Sequence, residues 1–261
     1  MSERSAPATS PARREGACVL AFHRVVSEPE RDHDLSLRSF RALLDRMDAL
    51  ATVELHEAFR APSSVVLTFD DATVDHRLIG EELAARGLRA IFFVPGGLVG
   101  NPGRLAREDI SALVSYGHEV GGHGYSHASL IDLPEGKRAD ELARTRLELE
   151  ALTGSPLRFF APPGGLSNCR IIAELIANSF RACRSMRWGI YRCETEAFCV
   201  PCIPVTEFTF RCGWVPSVIS TARLPWSMRL AWRVKTLLPV APRSFVRNAI
   251  HVLPARRGGL A

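Results

Sequence analysis

The sequence predicts an α/β protein, a parallel sheet or barrel with helices outside it. Two observations carry this. Short apolar runs alternate with stretches of helical period along most of the 261 residues. One run, VVLTFDD (Val65 to Asp71), has no room for a polar face, so it reads as a strand buried on both sides that ends in two carboxylates. In parallel α/β folds ligands bind at that strand edge. Two adjacent acids repel unless a cation or a shared proton relieves them, although Asp-Asp is also a common solvated turn.

The elements follow in order. Met1 to Gly16, rich in Ser, Pro, Ala and Arg, reads as a disordered lead. CVLAF (Cys18 to Phe22) is the first strand, followed by His23-Arg24-Val25-Val26. Leu37 to Leu50 has apolar residues at helical spacing, with Ser36 or Ser39 as a cap. After Val65 to Phe69, Leu78 to Gly87 is helical and AIFFV (Ala90 to Val94) is a strand. Arg107 to Tyr116 is a helix. Lys137 to Thr153 is a charged helix that stops at Gly154-Ser155-Pro156. Arg158 to Ala161, Phe180 to Cys183 and Phe198 to Val205 are short strands, and Cys169 to Asn178 is a helix.

Composition sets bounds. An apolar content of 46% with 23% charge is that of a globular chain. The net charge of +5 permits an anionic partner without naming one, and no nucleic-acid partner is expected. No run approaches the roughly 18 apolar residues of a membrane span. The lead has no apolar h-region, so a cytoplasmic location is expected, with the seven cysteines reduced. Cys199 and Cys202 have CxxC spacing but no second pair, so these thiols read as structural or incidental. From Arg223 to Arg257 there are eight basic residues and no acidic one, interleaved with Trp and Leu. Such a segment either lies on an anionic membrane or packs on the domain with a solvated basic face.

The chemistry concentrates in HEVGGHGYSH. His123 and His127 stand four apart, which on a helical turn puts both imidazoles on one side. Two His plus a carboxylate is a common shell for zinc or another divalent ion. An isolated HxxxH is weak; following Gly121-Gly122, downstream of a strand ending in Asp-Asp, it is stronger.

Taken in order, FHRV (Phe22 to Val25), TFDD (Thr68 to Asp71), AIFFVPGG (Ala90 to Gly97), GHEVGGHGYSHASL (Gly117 to Leu130) and FFAPPGG (Phe159 to Gly165) resemble the motifs of the polysaccharide deacetylases, the NodB-homology or carbohydrate esterase family four type. The resemblance runs from about Cys18 to Thr206. It implies a distorted, partly open (β/α)7-type barrel over residues 17–221, with 1–16 as lead and 222–261 as a basic amphipathic C-terminal segment. It also implies metal-dependent hydrolysis of an N-acetyl group on a sugar-containing substrate. The implied metal is one divalent ion, zinc first, with cobalt, nickel or manganese as alternatives. Carried over by position, Asp71, His123 and His127 hold the metal, Asp70 is the general base, and the turn at Pro163 and Gly164 offers a backbone N–H to an oxyanion.

This chain departs from the family at four places. Ala161 stands where the family has the Arg that pairs with the base, and Arg158 is not an obvious substitute. Gly164 replaces an aromatic residue, and Ala72 replaces a Gly. The family's late Leu-x-His acid has no clear counterpart; His251 is the sole histidine after His127. His118 reads as a hydrogen-bonded structural residue. His23 belongs on the rim beside Asp70, as a supporting residue or a substrate contact. Trp188 either lines a sugar site or packs in the core. The expected substrate is an intracellular glycan precursor, a lipid-linked sugar at the inner membrane face or a glycosylated metabolite, with peripheral membrane contact through residues 223–257. Deformylation, O-acetyl ester cleavage and non-catalytic glycan binding are the alternatives.

Overall fold

The computed structural model describes residues 16–47, 64–191, 198–221 and 223–237. Seven parallel strands form a closed barrel in chain order: β1 (Cys18–Phe22), β4 (Val65–Asp70), β5 (Ala90–Val94), β6 (Glu119–Gly122), β7 (Phe159–Phe160), β8 (Ala182–Trp188) and β9 (Cys199–Pro204). Two short segments, β2 (Val25–Val26) and β3 (Leu35–Ser36), pair separately. The expected seven-stranded barrel is thus the fold, but it is closed where a partly open ring was expected, because β9 pairs back onto β1. Its ring closes through a narrow seam, Leu20 with Ile203 and Ala21 with Pro204. Distortion concentrates in β8, whose register on β9 shifts between Arg184 and Trp188.

Alternation along the strands builds two cores. On β4, Val65, Leu67 and Phe69 face the outer belt beneath the helices, while Val66 faces the barrel interior. The same period sends Val19 and Ala21 of β1 and Ile91 and Phe93 of β5 inward. It also sends Asp70 inward, where it is 3% exposed. Thr68, on the same inward row, satisfies its hydroxyl on the Leu20 carbonyl at 2.9 Å.

The helices are α1 (Leu37–Asp45), α2 (His76–Ala85), α3 (Arg107–Ser115), α4 (Glu135–Thr153), α5 (Cys169–Ala177), α6 (Glu207–Arg211), α7 (Trp214–Thr221) and α8 (Trp226–Leu237). Ser36 caps α1 as expected, accepting from Ser39 N. In α8, Met228 and Ala231 are buried in the outer core, while Trp226 is 63% and Leu230 43% exposed. The basic segment therefore begins as a helix packed on the barrel domain; residues 238–257 of it, like most of the 1–16 lead, lie outside the described residues. No helix among the described residues is long and apolar enough to cross a membrane.

The pair Gly121-Gly122 in β6 exists because nothing larger fits. A Cβ on Gly121 would lie 2.5 Å from Phe93 Cδ1 and 3.1 Å from the Phe159 carbonyl oxygen. Gly121→Ala is therefore expected to destabilise the fold by about 1–3 kcal/mol through overpacking. Urea denaturation of the variant checks this.

Candidate active site

Asp70 and Asp71 end β4 and diverge. Asp70 remains in the strand and points into the barrel, whereas Asp71 takes a left-handed backbone, φ 78°. Asp tolerates that conformation better than most residues, yet it costs of order 1 kcal/mol and needs support. The support is local. Arg104 Nη1 donates to the Asp71 carbonyl at 2.5 Å, and Leu105 N donates to the Ala72 carbonyl at 2.8 Å. Ala72, where the family has Gly, is left-handed too, φ 50°, and its methyl is buried. Beyond it, Asp75 Oδ2 accepts from Val25 N at 2.8 Å, and His76 Nε2 lies 2.6 Å from the His23 carbonyl oxygen. The loop after β4 thereby grips the loop after β1.

The turn places the Asp71 carboxylate against two imidazoles. Oδ1 is 2.9 Å from His127 Nε2 and 3.3 Å from His123 Nε2. One ligand atom from each of the three residues lies within 4.8 Å of the others. His123 Nδ1 faces the Ala161 carbonyl at 2.6 Å, a contact that requires the proton on Nδ1. In the neutral ring Nε2 is then a lone pair, aimed at a carboxylate oxygen. Two acceptors facing each other need a cation or a proton between them, so these residues fit a divalent metal. Burial alone would raise the Asp71 carboxyl, but the two imidazoles more than offset it and hold the group well below the carboxylate range.

His123 and His127 do not share a helical turn. The chain leaves β6 at Gly122 and runs through a loop in which Gly124 (φ 74°) and His127 (φ 64°) are left-handed. The rings still meet, their centroids 4.9 Å apart. Glu141 of α4, 8% exposed, shapes this loop. It accepts from Tyr125 N (2.7 Å), Ser126 N (2.9 Å) and Ser126 Oγ (2.6 Å). Sequence reasoning missed Glu141 because it looks like the other charges of its helix.

Asp70 has a partner that sequence reasoning also missed. Arg184 Nη2 donates to Asp70 Oδ2, and the Arg184 side chain is 1% exposed. Burial would raise the Asp70 carboxyl; the Arg184 guanidinium overrides this and holds it below its usual value. Arg158 reaches Glu119 instead, at 3.0 Å. His23 sits on the rim as expected, Nε2 3.8 Å from Asp70 Oδ2 and stacked 5.0 Å from His33; burial lowers its pKa.

Pro163 is buried and Gly164 turns with φ 67°, with open space around its Cα. The turn packs beside the histidine loop: a Cβ on Gly124 would lie 3.3 Å from Pro163 Cγ. His118 is structural, Nε2 2.8 Å from the Gly80 carbonyl oxygen and Nδ1 accepting from Ala90 N at 3.3 Å. Trp188 takes the packing alternative. Its ring lies edge-on to Trp214 of α7 at 6.1 Å in the outer core, not on the rim that carries Asp70. The CxxC pair splits across its strand, Cys199 with the outer core and Cys202 inside. His251 lies outside the described residues.

Glu141→Ala would strand two backbone N–H groups. We expect a loss of about 1–3 kcal/mol of stability and roughly tenfold weaker binding of Zn²⁺ or Co²⁺. Thermal unfolding and metal titration check both, and unchanged metal affinity would remove Glu141 from the site.

A family model described as polysaccharide deacetylase matches residues 60–182, which include β4 to the start of β8. Among curated proteins, the peptidoglycan-N-acetylglucosamine deacetylase of Bacillus cereus is 30% identical over 114 residues, 41% of this chain and 40% of that protein. The uncharacterized protein YlxY of Bacillus subtilis is 33% identical over 78 residues, 30% of this chain and 23% of that protein. The chain thus spans less than half the length of these curated relatives. Among solved structures, IcaB from Ammonifex degensii superposes with a TM-score of 0.69 at 27% identity, covering 80% of this chain and 97% of that one. The Streptococcus pyogenes deacetylase PplD shares the fold, with a TM-score of 0.71 at 17% identity over 79% of this chain and 97% of that one. Residues 60–182 of this chain thus match the polysaccharide deacetylase family, and Asp70, Asp71, His123 and His127 all fall within that stretch.

Proposed function

We propose that this protein is a metal-dependent hydrolase that removes an N-acetyl group from a sugar-containing substrate. Asp71, His123 and His127 hold one divalent ion, zinc first, and Asp70 is the general base. The observation that carries the reading is the convergence of those three ligand atoms beside a separate, buried, arginine-paired carboxylate. The family match supports sugar deacetylation as the class of reaction. When bound, the ion supplies Lewis acidity, polarising an acyl carbonyl and acidifying water.

The protein's own groups do the rest. Asp70 uses Oδ2 for Arg184, while Oδ1 is buried with no hydrogen-bond partner. Oδ1 is the atom that takes the proton from water. The Ala161 carbonyl fixes the His123 ring and its tautomer. The open turn at Gly164 lets the acyl group approach the Pro163-Gly164 backbone, whose N–H would face the developing oxyanion.

Asp70→Asn is expected to lower acetate release from N-acetylated glucosamine oligomers by about 10²–10⁴-fold with metal content unchanged. Asp71→Ala is expected to lose the metal itself. Treatment with EDTA should abolish turnover, and Zn²⁺ or Co²⁺ should restore it. Acetate release that survives both EDTA and Asp70→Asn would reject the reading.

We further propose that the protein rests peripherally on an anionic membrane through its basic segment. Support comes from the exposed Trp226 and Leu230 of α8, beside the exposed Arg229 on the same helix and Arg223 just before it. Trp226→Ser with Leu230→Ser should cut co-sedimentation with phosphatidylglycerol vesicles by about fivefold or more. Equal partitioning would sink the membrane contact.

A further inference from the structure

The CxxC spacing of Cys199 and Cys202 invites a pairing that the sheet does not make. The two side chains leave opposite faces of β9. Cys199 instead stands opposite Cys183 of β8, its register partner across the parallel pair. Neighbouring strands run about 4.8 Å apart, within the roughly 4.4–6.8 Å between Cα atoms that a disulfide spans. Partners on one rung of a parallel pair point to the same face, and both side chains lie with the outer core. The two thiols are hydrogen-bonded to each other. Cys183 N also donates to the Phe198 carbonyl at 2.8 Å, which fixes the start of β9 on this rung.

The two sulfurs are not equivalent. Cys183 is fully buried, whereas Cys199 is half-buried. The bond from Cys183 holds the Cys199 thiol down at about 7, with Arg187 adding to it against burial. The same bond, together with burial, raises the Cys183 thiol well above its usual value. Cys199 is therefore the reachable member and in large part a thiolate near neutral pH. Cys183 keeps its proton behind it. An accessible thiolate with a second thiol in contact is the arrangement that carries a first oxidation on to a disulfide. The next rung, Arg184 with Val200, is the last before the register shifts. A bond at Cys183 would thus staple β8 to β9 where their pairing becomes irregular.

We propose that Cys183 and Cys199 are a dithiol modification site that hydrogen peroxide converts into a disulfide joining β8 to β9. The Cys199 thiolate attacks one peroxide oxygen, and the O–O bond breaks. The hydroxide released takes up the proton that Cys199 had given to solvent and leaves as water; Cys199 is now a sulfenic acid. Cys183 then attacks the sulfenic sulfur. The S–O bond breaks, and the departing hydroxide takes the Cys183 proton as a second water. The two thiols supply the two electrons that reduce the peroxide, and a small-molecule dithiol reverses the change by exchange. The site lies in the outer core and does not depend on the hydrolase reading.

The test uses the full chain, reduced with dithiothreitol, desalted and treated with a slight excess of hydrogen peroxide. Remaining thiols are blocked with N-ethylmaleimide under denaturing conditions, and digestion with trypsin and Glu-C maps the cysteines by mass spectrometry. The expected product is a peptide pair joining Cys183 to Cys199, about tenfold more abundant than any other disulfide and lost on reduction. In Cys183→Ser the sulfenic acid has no thiol to meet, so dimedone should label Cys199 about tenfold more than any other cysteine. The wild-type map decides the matter by itself if Cys183→Ser does not fold. A wild type in which Cys183 stays free after peroxide treatment overturns the proposal. So does a map that joins Cys199 to Cys202 or to another cysteine, and so does a folded Cys183→Ser with no label on Cys199.

Discussion

Two carboxylates on consecutive residues must not share one environment, and the site is arranged around that requirement. The strand period sends Asp70 into the barrel, and a left-handed backbone at Asp71 turns the second carboxylate away from the first. Each then meets its own positive or polarisable partner: Asp70 the Arg184 guanidinium, Asp71 the His123 and His127 imidazoles. Burial raises both carboxyls, and in both the partners reverse the sign. The repulsion is resolved by geometry: one acid faces two imidazoles and the other is paired with a buried guanidinium.

That resolution stores strain. Asp71, Ala72 and His127 are three of the four non-glycine residues with left-handed backbone among the described residues, and all three lie at the site. Each conformation costs on the order of 1 kcal/mol or more and persists only where surrounding bonds over-determine it. Arg104 and Leu105 hold the carbonyls of Asp71 and Ala72, and Glu141 holds the loop leading to His127. These supports come from the segments before α3 and from α4, outside the ring of strands, so the helical layer is part of the site's construction.

The barrel and the metal-ligand candidates were legible in the sequence because they rest on local signals. Apolar runs of four to six residues mark β1, β4 and β5, and an HxxxH after Gly-Gly marks the two imidazoles. The path between the histidines was not legible. A spacing of four brings rings together on a helix, and a strand end followed by left-handed residues does the same with a different backbone. Arg184 escaped for a related reason. The strand reading stopped at Cys183 because Arg184-Ser185-Met186-Arg187 interrupts the apolar run, yet β8 continues to Trp188. A strand that lines a polar site must carry polar residues inward, so its own pattern hides it. Glu141 was hidden among the charges of a helix whose other face is solvated.

Ala161 takes on a different meaning beside Arg184. Read along the sequence, it is a missing arginine. In space it is fully buried in the same interior cluster as Phe93, Ala182 and the partly buried Met186. Interiors pack near the density of organic crystals, so a guanidinium entering from β8 needs its volume vacated by neighbours. Ala17, Ala21, Ala161 and Ala182 are the small residues of that interior, and the Arg184 guanidinium lies in it beside Phe93 and Met186. The Ala161 carbonyl, which needs no side chain, orients His123. The side chain at 161 is a methyl, and the buried cation beside Asp70 comes instead from Arg184 on β8.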